Sequence, residues 1–142
     1  MSTDQNKQIV QRYYQLVSQG ERAQADALFA ADATWWIAGD PTQFPIAGLR
    51  PIAEHQAMLR QRIAPNLPNG VRTTVTGMTA EGDRVAVEME NYAETASGKI
   101  YANRFHLLFV LEDGRIREVR EYFDTQHAAD VLLSGRASRE NE

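Results

Sequence analysis

Four runs in the second half of the chain restrict the fold more than any other feature. Over roughly 71–79, 84–94, 100–111 and 115–123, apolar and polar residues alternate with a period of two. The turn signals "EGD", "ASGK" and "EDG" separate the runs. Alternation sends every second side chain to one face, and turns of this kind let each run double back on the last. The pattern predicts an antiparallel meander with an apolar face that something must cover.

The first half supplies the cover. Ser2 or Thr3 can cap a helix whose apolar stripe is Ile9, Val10, Tyr13, Leu16 and Val17, and Gly20 stops it. A second, short helix carries Ala25, Leu28 and Phe29. "TWWI" reads as a short strand because aromatic and β-branched residues suit a pleated surface. The stretch "AGDPTQFPIAG", with two prolines and two glycines, reads as a loop. Pro51 fits the first turn of a third helix with the stripe Ile52, Met58, Leu59 and Ile63, which Pro65 and Pro68 end. After the last strand, Asp124 or Thr125 can start a short helix ending near Gly135, and "RASRENE" reads as a frayed tail. The expected ordered core is about 5–134, with the tail at 135–142. Three helices followed by an antiparallel sheet make an α+β domain, with the helices on one sheet face.

Composition narrows the function classes. The 142 residues suffice for a single domain, 1–142, with a substantial core, and no repeat or linker divides them. Net charge is −4 and the arginines are scattered, whereas nucleic-acid binding needs a clustered positive footprint. There is no apolar stretch near 18 residues to span a membrane. The start, "MSTDQNKQ", lacks the basic-then-apolar order of a signal peptide, so the expected location is cytoplasmic. Without cysteine, neither disulfides nor a thiolate metal site nor a cysteine nucleophile can form.

With "LVSQGERAQADALFAADATWW" early and "FVLEDGRIREVREYFDT" late, the chain resembles the nuclear-transport-factor-2-like superfamily, from about residue 7 to 132. More narrowly, it resembles the SnoaL-like and ketosteroid-isomerase-like proteins. The resemblance implies a cone-shaped, cystatin-like α+β barrel: a strongly curved sheet wraps three helices and leaves a deep pocket. It implies a homodimer through the outer sheet face, and a cofactor-independent isomerase, polyketide cyclase, dehydratase or hydrolase, or else a binder without catalysis. Fold alone does not choose among these.

The residues that could carry chemistry are mostly carboxylates. If "EDG" closes a three-residue turn with Gly114 left-handed, Leu111 stands opposite Arg115. Glu121 then shares the pocket-side face with Phe105, Leu107 and Phe109, whereas a two-residue turn would reverse its facing. An acid in an apolar pocket has a raised pKa and can exchange protons near neutrality. The alternative for Glu121 is a solvated strand residue paired with Arg104, Arg117 or Arg120. By the resemblance, Glu121 stands where SnoaL-like cyclases and limonene-epoxide-hydrolase-like enzymes carry an acid–base aspartate. Glu90 stands at the hydrolases' second aspartate. Two acids around one cavity could divide the proton work. The hydrolases' arginine position holds Glu88, and their water-holding tyrosine and asparagine positions hold Trp35 and Ile37. If Val85, Val87 and Met89 form the core face instead, Glu88, Glu90 and Tyr92 meet water.

Tyr13, in "RYYQLV", resembles the oxyanion-binding tyrosine of ketosteroid isomerases, although a core aromatic with a wet tip is the alternative. That enzyme's base falls on Ile37 and its protonated aspartate near Leu107, so the steroid reaction is not implied. Asp40 either serves at the pocket mouth or shapes a turn. Trp35 and Trp36 alternate, so one lines the cavity, and Trp35, Ile37, Glu88, Tyr92, Asn103, Phe105, Leu107 and Phe123 are its expected walls. His55, His106 and His127 lack ligand-like spacing, and neither a metal nor a cofactor is expected. The expected function is general acid–base catalysis by Glu121, Glu90, Tyr13 and Asp40 on a small hydrophobic, cyclic or polyketide-like molecule. The rival is a non-catalytic ligand-binding or dimerisation domain.

Overall fold

The computed structural model describes residues 1–133. The expected tail and the helix end near Gly135 lie outside the described residues. Helix α1 (Thr3–Ser18) opens on a capping box: the Gln5 amide donates to the Ser2 hydroxyl, and the Ser2 amide donates to the Gln5 side chain. It buries Val10, Tyr13 and Leu16 along one stripe. Helix α2 (Arg22–Asp26) ends before Phe29, which instead begins strand β1 (Phe29–Ile37), a longer strand than "TWWI" suggests.

Strand β2 (Gly48–Pro51) is not foreseen from sequence. Four residues are too few to show a period, and the strand exists through antiparallel pairing with Thr34–Ile37 of β1. Helix α3 (Ile52–Met58) follows with Pro51 at its N-cap, and wider and tighter turns extend it to Asn66. Strands β3 (Arg72–Glu81), β4 (Arg84–Glu94), β5 (Ile100–Glu112) and β6 (Arg115–Phe123) match the four alternating runs. Helix α4 (Thr125–Ala128) is capped by the Asp124 side chain, which accepts from the His127 amide.

The six strands form one curved, unclosed sheet in the order β2-β1-β6-β5-β4-β3. All neighbours are antiparallel except β1 and β6, which run parallel. The meander's last strand therefore has a second neighbour from the helical half, and this seam brings Trp35 beside Val119 and Ile37 beside Glu121. Val85, Val87, Leu107, Phe109, Ile116 and Val119 are almost fully buried on the inner face, beneath α1.

The β5–β6 turn departs from expectation. Glu112 pairs with Arg115, and Asp113 (φ 51°) and Gly114 (φ 78°) are both left-handed, a two-residue turn of the primed kind. That turn alone would send Glu121 outward. A bulge intervenes, since Leu111 pairs with Ile116 but Val110 pairs with Glu118, leaving Arg117 as an extra residue in β6. The parity is restored, and Glu121 stands opposite Leu107 on the inner face.

Candidate active site

Between the inner sheet face and helices α1 and α3 lies a cavity of about 220 Å³. Its wall includes Tyr13, Trp35, Ile37, His55, Phe105, Glu121 and Phe123. A wider hollow of about 1040 Å³ lies between α1 and β3, but it is an open surface groove without a carboxylate in its lining. The smaller, mainly apolar cavity is where a titratable acid is enclosed, the mark of a site for chemistry.

Glu121 is half-buried, with its carboxylate among aromatic and aliphatic side chains. The Trp35 indole N–H donates to Glu121 Oε1 at 3.0 Å. Burial disfavours the anion and pushes the pKa up from 4.5 to about 7, and the indole hydrogen bond pulls the other way. At neutral pH both protonation states are populated, which suits an acid–base group. The β1–β6 seam places the pair: Trp35 and Glu121 come from adjacent parallel strands.

Tyr13 also lines the cavity, packed edge-on to Phe29 at 5.4 Å between ring centroids and tilted to Trp35 at 6.5 Å. Burial raises its phenol to about 12, opposed by the nearby Arg22 guanidinium and aided by the Glu121 charge. The phenol thus stays protonated and can donate a hydrogen bond. His55, on α3, stacks on Trp35 with ring centroids 4.5 Å apart and planes 10° from parallel. Burial, with Arg50 and Arg22 nearby, lowers its pKa to about 3, so the imidazole is neutral.

Several expected site residues lie elsewhere. Glu88, Glu90 and Tyr92 are exposed on the outer face, because Val85, Val87 and Met89 take the inner positions of β4. There Glu90 meets Arg104 at 3.6 Å, and Tyr92 lies under the Arg72 guanidinium. His106 pairs with Glu88 across the strands, but this cluster is also outside the cavity. Asp40 is exposed; its carboxylate accepts from the Thr42 amide and hydroxyl, which lower its pKa and fix a turn. Asn103 points inward yet does not line the cavity: its amide donates to the Tyr101 hydroxyl and to the Asp124 carbonyl, tying β5 to the start of α4. Leu107 is wholly buried beneath the cavity wall and does not line it. Trp36 faces outward against Tyr122.

The structure thus brings together Glu121, Trp35, Tyr13, Ile37, Phe105 and Phe123 from the expected set, and adds His55 and Arg22. His55 is legible in hindsight, since it falls three residues after Ile52 and three before Met58, on the buried stripe. Arg22 has no such signal. Among the described residues no group of three His, Asp or Glu side chains could hold a metal ion.

A curved sheet packed on helices around a small, acid-containing hollow defines an α+β pocket protein of the nuclear-transport-factor-2-like superfamily. Within it, the chain belongs to the SnoaL-like domain family, whose model matches residues 10–119. A nuclear-transport-factor-2-like protein of unknown function from Burkholderia pseudomallei has a similar structure: 18% identity, 94% of this chain and 99% of the other covered, TM-score 0.78. A protein named as a SnoaL-like polyketide cyclase from Jannaschia is similar at 18% identity, with 92% of both chains covered and TM-score 0.70. TerC, co-crystallised with polyporic acid, is similar at 17% identity, with 90% of this chain and 98% of TerC covered and TM-score 0.76. No curated protein sequence matches the chain significantly.

Proposed function

We propose that the cavity carries out general acid–base chemistry on a compact, mainly apolar ring compound bearing a carbonyl or enol oxygen, with Glu121 as the proton-transfer group. One observation carries this reading: a carboxyl enclosed in an apolar cavity and held by an indole N–H, with a pKa of about 7. A carboxyl needed only for stability would be better placed in water or against a cation. Tyr13, a protonated phenol on the same wall, supplies a hydrogen bond to charge developing on the substrate oxygen. The cavity, at about 220 Å³, is smaller than most ligand pockets, which suits one or two rings rather than a steroid-sized skeleton. The cyclase name and the polyporic acid complex among similar structures point to cyclic, oxygenated ligands. At 18% and 17% identity, however, those likenesses concern the fold, and the substrate class rests on the residues here.

A second reading, ligand binding without turnover, is favoured by the exposure of Glu88 and Glu90, which leaves Glu121 as the sole carboxyl in the described cavity lining. Exchange of α-carbon protons for deuterium on small cyclic ketones and β-diketones separates the two. The expected result is exchange above the buffer rate for the native chain and buffer-rate exchange for Glu121→Gln. Ligand binding without exchange, together with a Glu121 pKa near 4.5 by carbon-13 NMR titration, would establish the second reading.

A further inference from the structure

His55 is a polar residue for which the described residues provide no hydrogen-bond partner. It is 5% exposed, and its ring lies flat on Trp35. Phenylalanine could fill the same stack. The ring's Nδ1 is sealed from solvent and has no hydrogen-bond partner among the described residues. Nε2 also has no bond to the described residues, yet it is not sealed in the same way, and the residue forms part of the cavity wall. Charge does not explain the histidine either. The charged groups acting on it are Arg50 of β2 and Arg22 of α2, which together with burial hold the ring neutral. A neutral imidazole offers one donor and one acceptor, and the described residues engage neither.

Trp35 links His55 to the proposed reaction centre. The edge of the indole donates to Glu121, and its face carries the His55 ring. One rigid side chain therefore positions two polar groups on a largely apolar wall. A ligand with a single oxygen can engage one of them and leaves the other bare, and leaving a buried polar group unpaired is the strongest source of discrimination such a site has.

We infer that His55 is a ligand-binding residue, whose Nε2 hydrogen-bonds a second oxygen substituent of the ring compound whose first oxygen meets Glu121, so that the cavity selects compounds with two oxygen functions over those with one. This inference rests on the cavity being a small-molecule site, as proposed above, and does not require turnover.

Binding of resorcinol and of phenol, measured by ligand-observed NMR on the intact chain, tests it. The native chain is expected to bind resorcinol about tenfold more tightly than phenol or better. His55→Phe keeps the stack and the volume. It should abolish the difference between the two compounds, with phenol bound as tightly as by the native chain or more so, and leave the melting temperature equal or higher. His55→Gln, which restores a donor and an acceptor, should recover part of the preference. A preference that survives in His55→Phe, or no preference in the native chain, overturns the inference. So does failure of both compounds to bind at millimolar concentration. A large fall in melting temperature in both variants would show that the nitrogens serve the fold, and would overturn it as well. Loss of deuterium exchange in Glu121→Gln bears on the acid–base reading alone, whereas the resorcinol preference bears on His55 alone.

Discussion

Glu121→Gln should make the protein more stable in alkaline solution while removing its proton chemistry. The carboxyl's pKa rises from 4.5 to about 7 on folding. Between those values the folded state holds a proton that the unfolded chain has released. Stability is therefore greatest below about pH 4.5 and is lost as pH climbs through about 7. At roughly 1.4 kcal/mol per tenfold change, the full loss is about 3 kcal/mol. Glutamine is close in shape, accepts the Trp35 N–H through its side-chain oxygen and never ionises, so it escapes this loss. The native chain and the variant should have similar unfolding free energies at pH 4.5 and diverge through pH 7. The variant should lead by about 3 kcal/mol at pH 8.5, on the order of 10 °C in melting temperature for a domain of this size. Urea unfolding at half-unit pH steps measures the difference directly, and the other carboxylates cancel between the two proteins. A difference that stays constant from pH 4.5 to 8.5 would refute the claim that Glu121 ionises inside an apolar enclosure.

The indole donor and the outer-face acids give two further expectations. Trp35→Phe removes the N–H that favours the Glu121 anion, so the carboxyl should titrate above its present value of about 7; a carbon-13 NMR titration without that rise would refute the hydrogen bond. Glu90→Gln should leave deuterium exchange unchanged and alter stability by less than about 0.5 kcal/mol, because its contact with Arg104 is solvent-exposed; a severalfold loss of exchange would return Glu90 to the mechanism.

The meander is legible in sequence because alternation is a local signal that tertiary packing then uses, interrupted by bulges in β3 and β6. Val85, Val87 and Met89 specify the inner face of β4, and they do so more reliably than the family spacing that points to Glu90. Strand β2 is illegible for the opposite reason, since only its partner Thr34–Ile37 makes "GLRP" a strand. The facing of Glu121 is instructive. A three-residue turn at "EDG" would place it inward, and the real two-residue turn would place it outward. The bulge at Arg117 reverses the outcome again. A half-buried arginine in a bulge of an interior strand carries no compositional mark, whereas a left-handed glycine does, so half of the register is readable and half is not.

Two cavity features of little benefit to the fold are attached to Trp35. Glu121 is a carboxyl whose anion is disfavoured by burial, and His55 is a buried imidazole with an unmet Nδ1. Apolar residues of similar volume at either position would pack as well without these penalties. Asp40, Asn103 and Asp124 show how the same chain treats polar groups that serve structure: each is engaged in specific hydrogen bonds with a turn, a neighbouring strand or a helix start. The contrast separates two populations of polar side chains within one small domain, and the poorly compensated population, Glu121, His55 and Tyr14 with its hydroxyl unpartnered among the described residues, lines one cavity. A fold selected for stability alone has no reason to concentrate its unmet polar groups in this way, whereas a cavity that must grip an oxygenated ring and move one of its protons does.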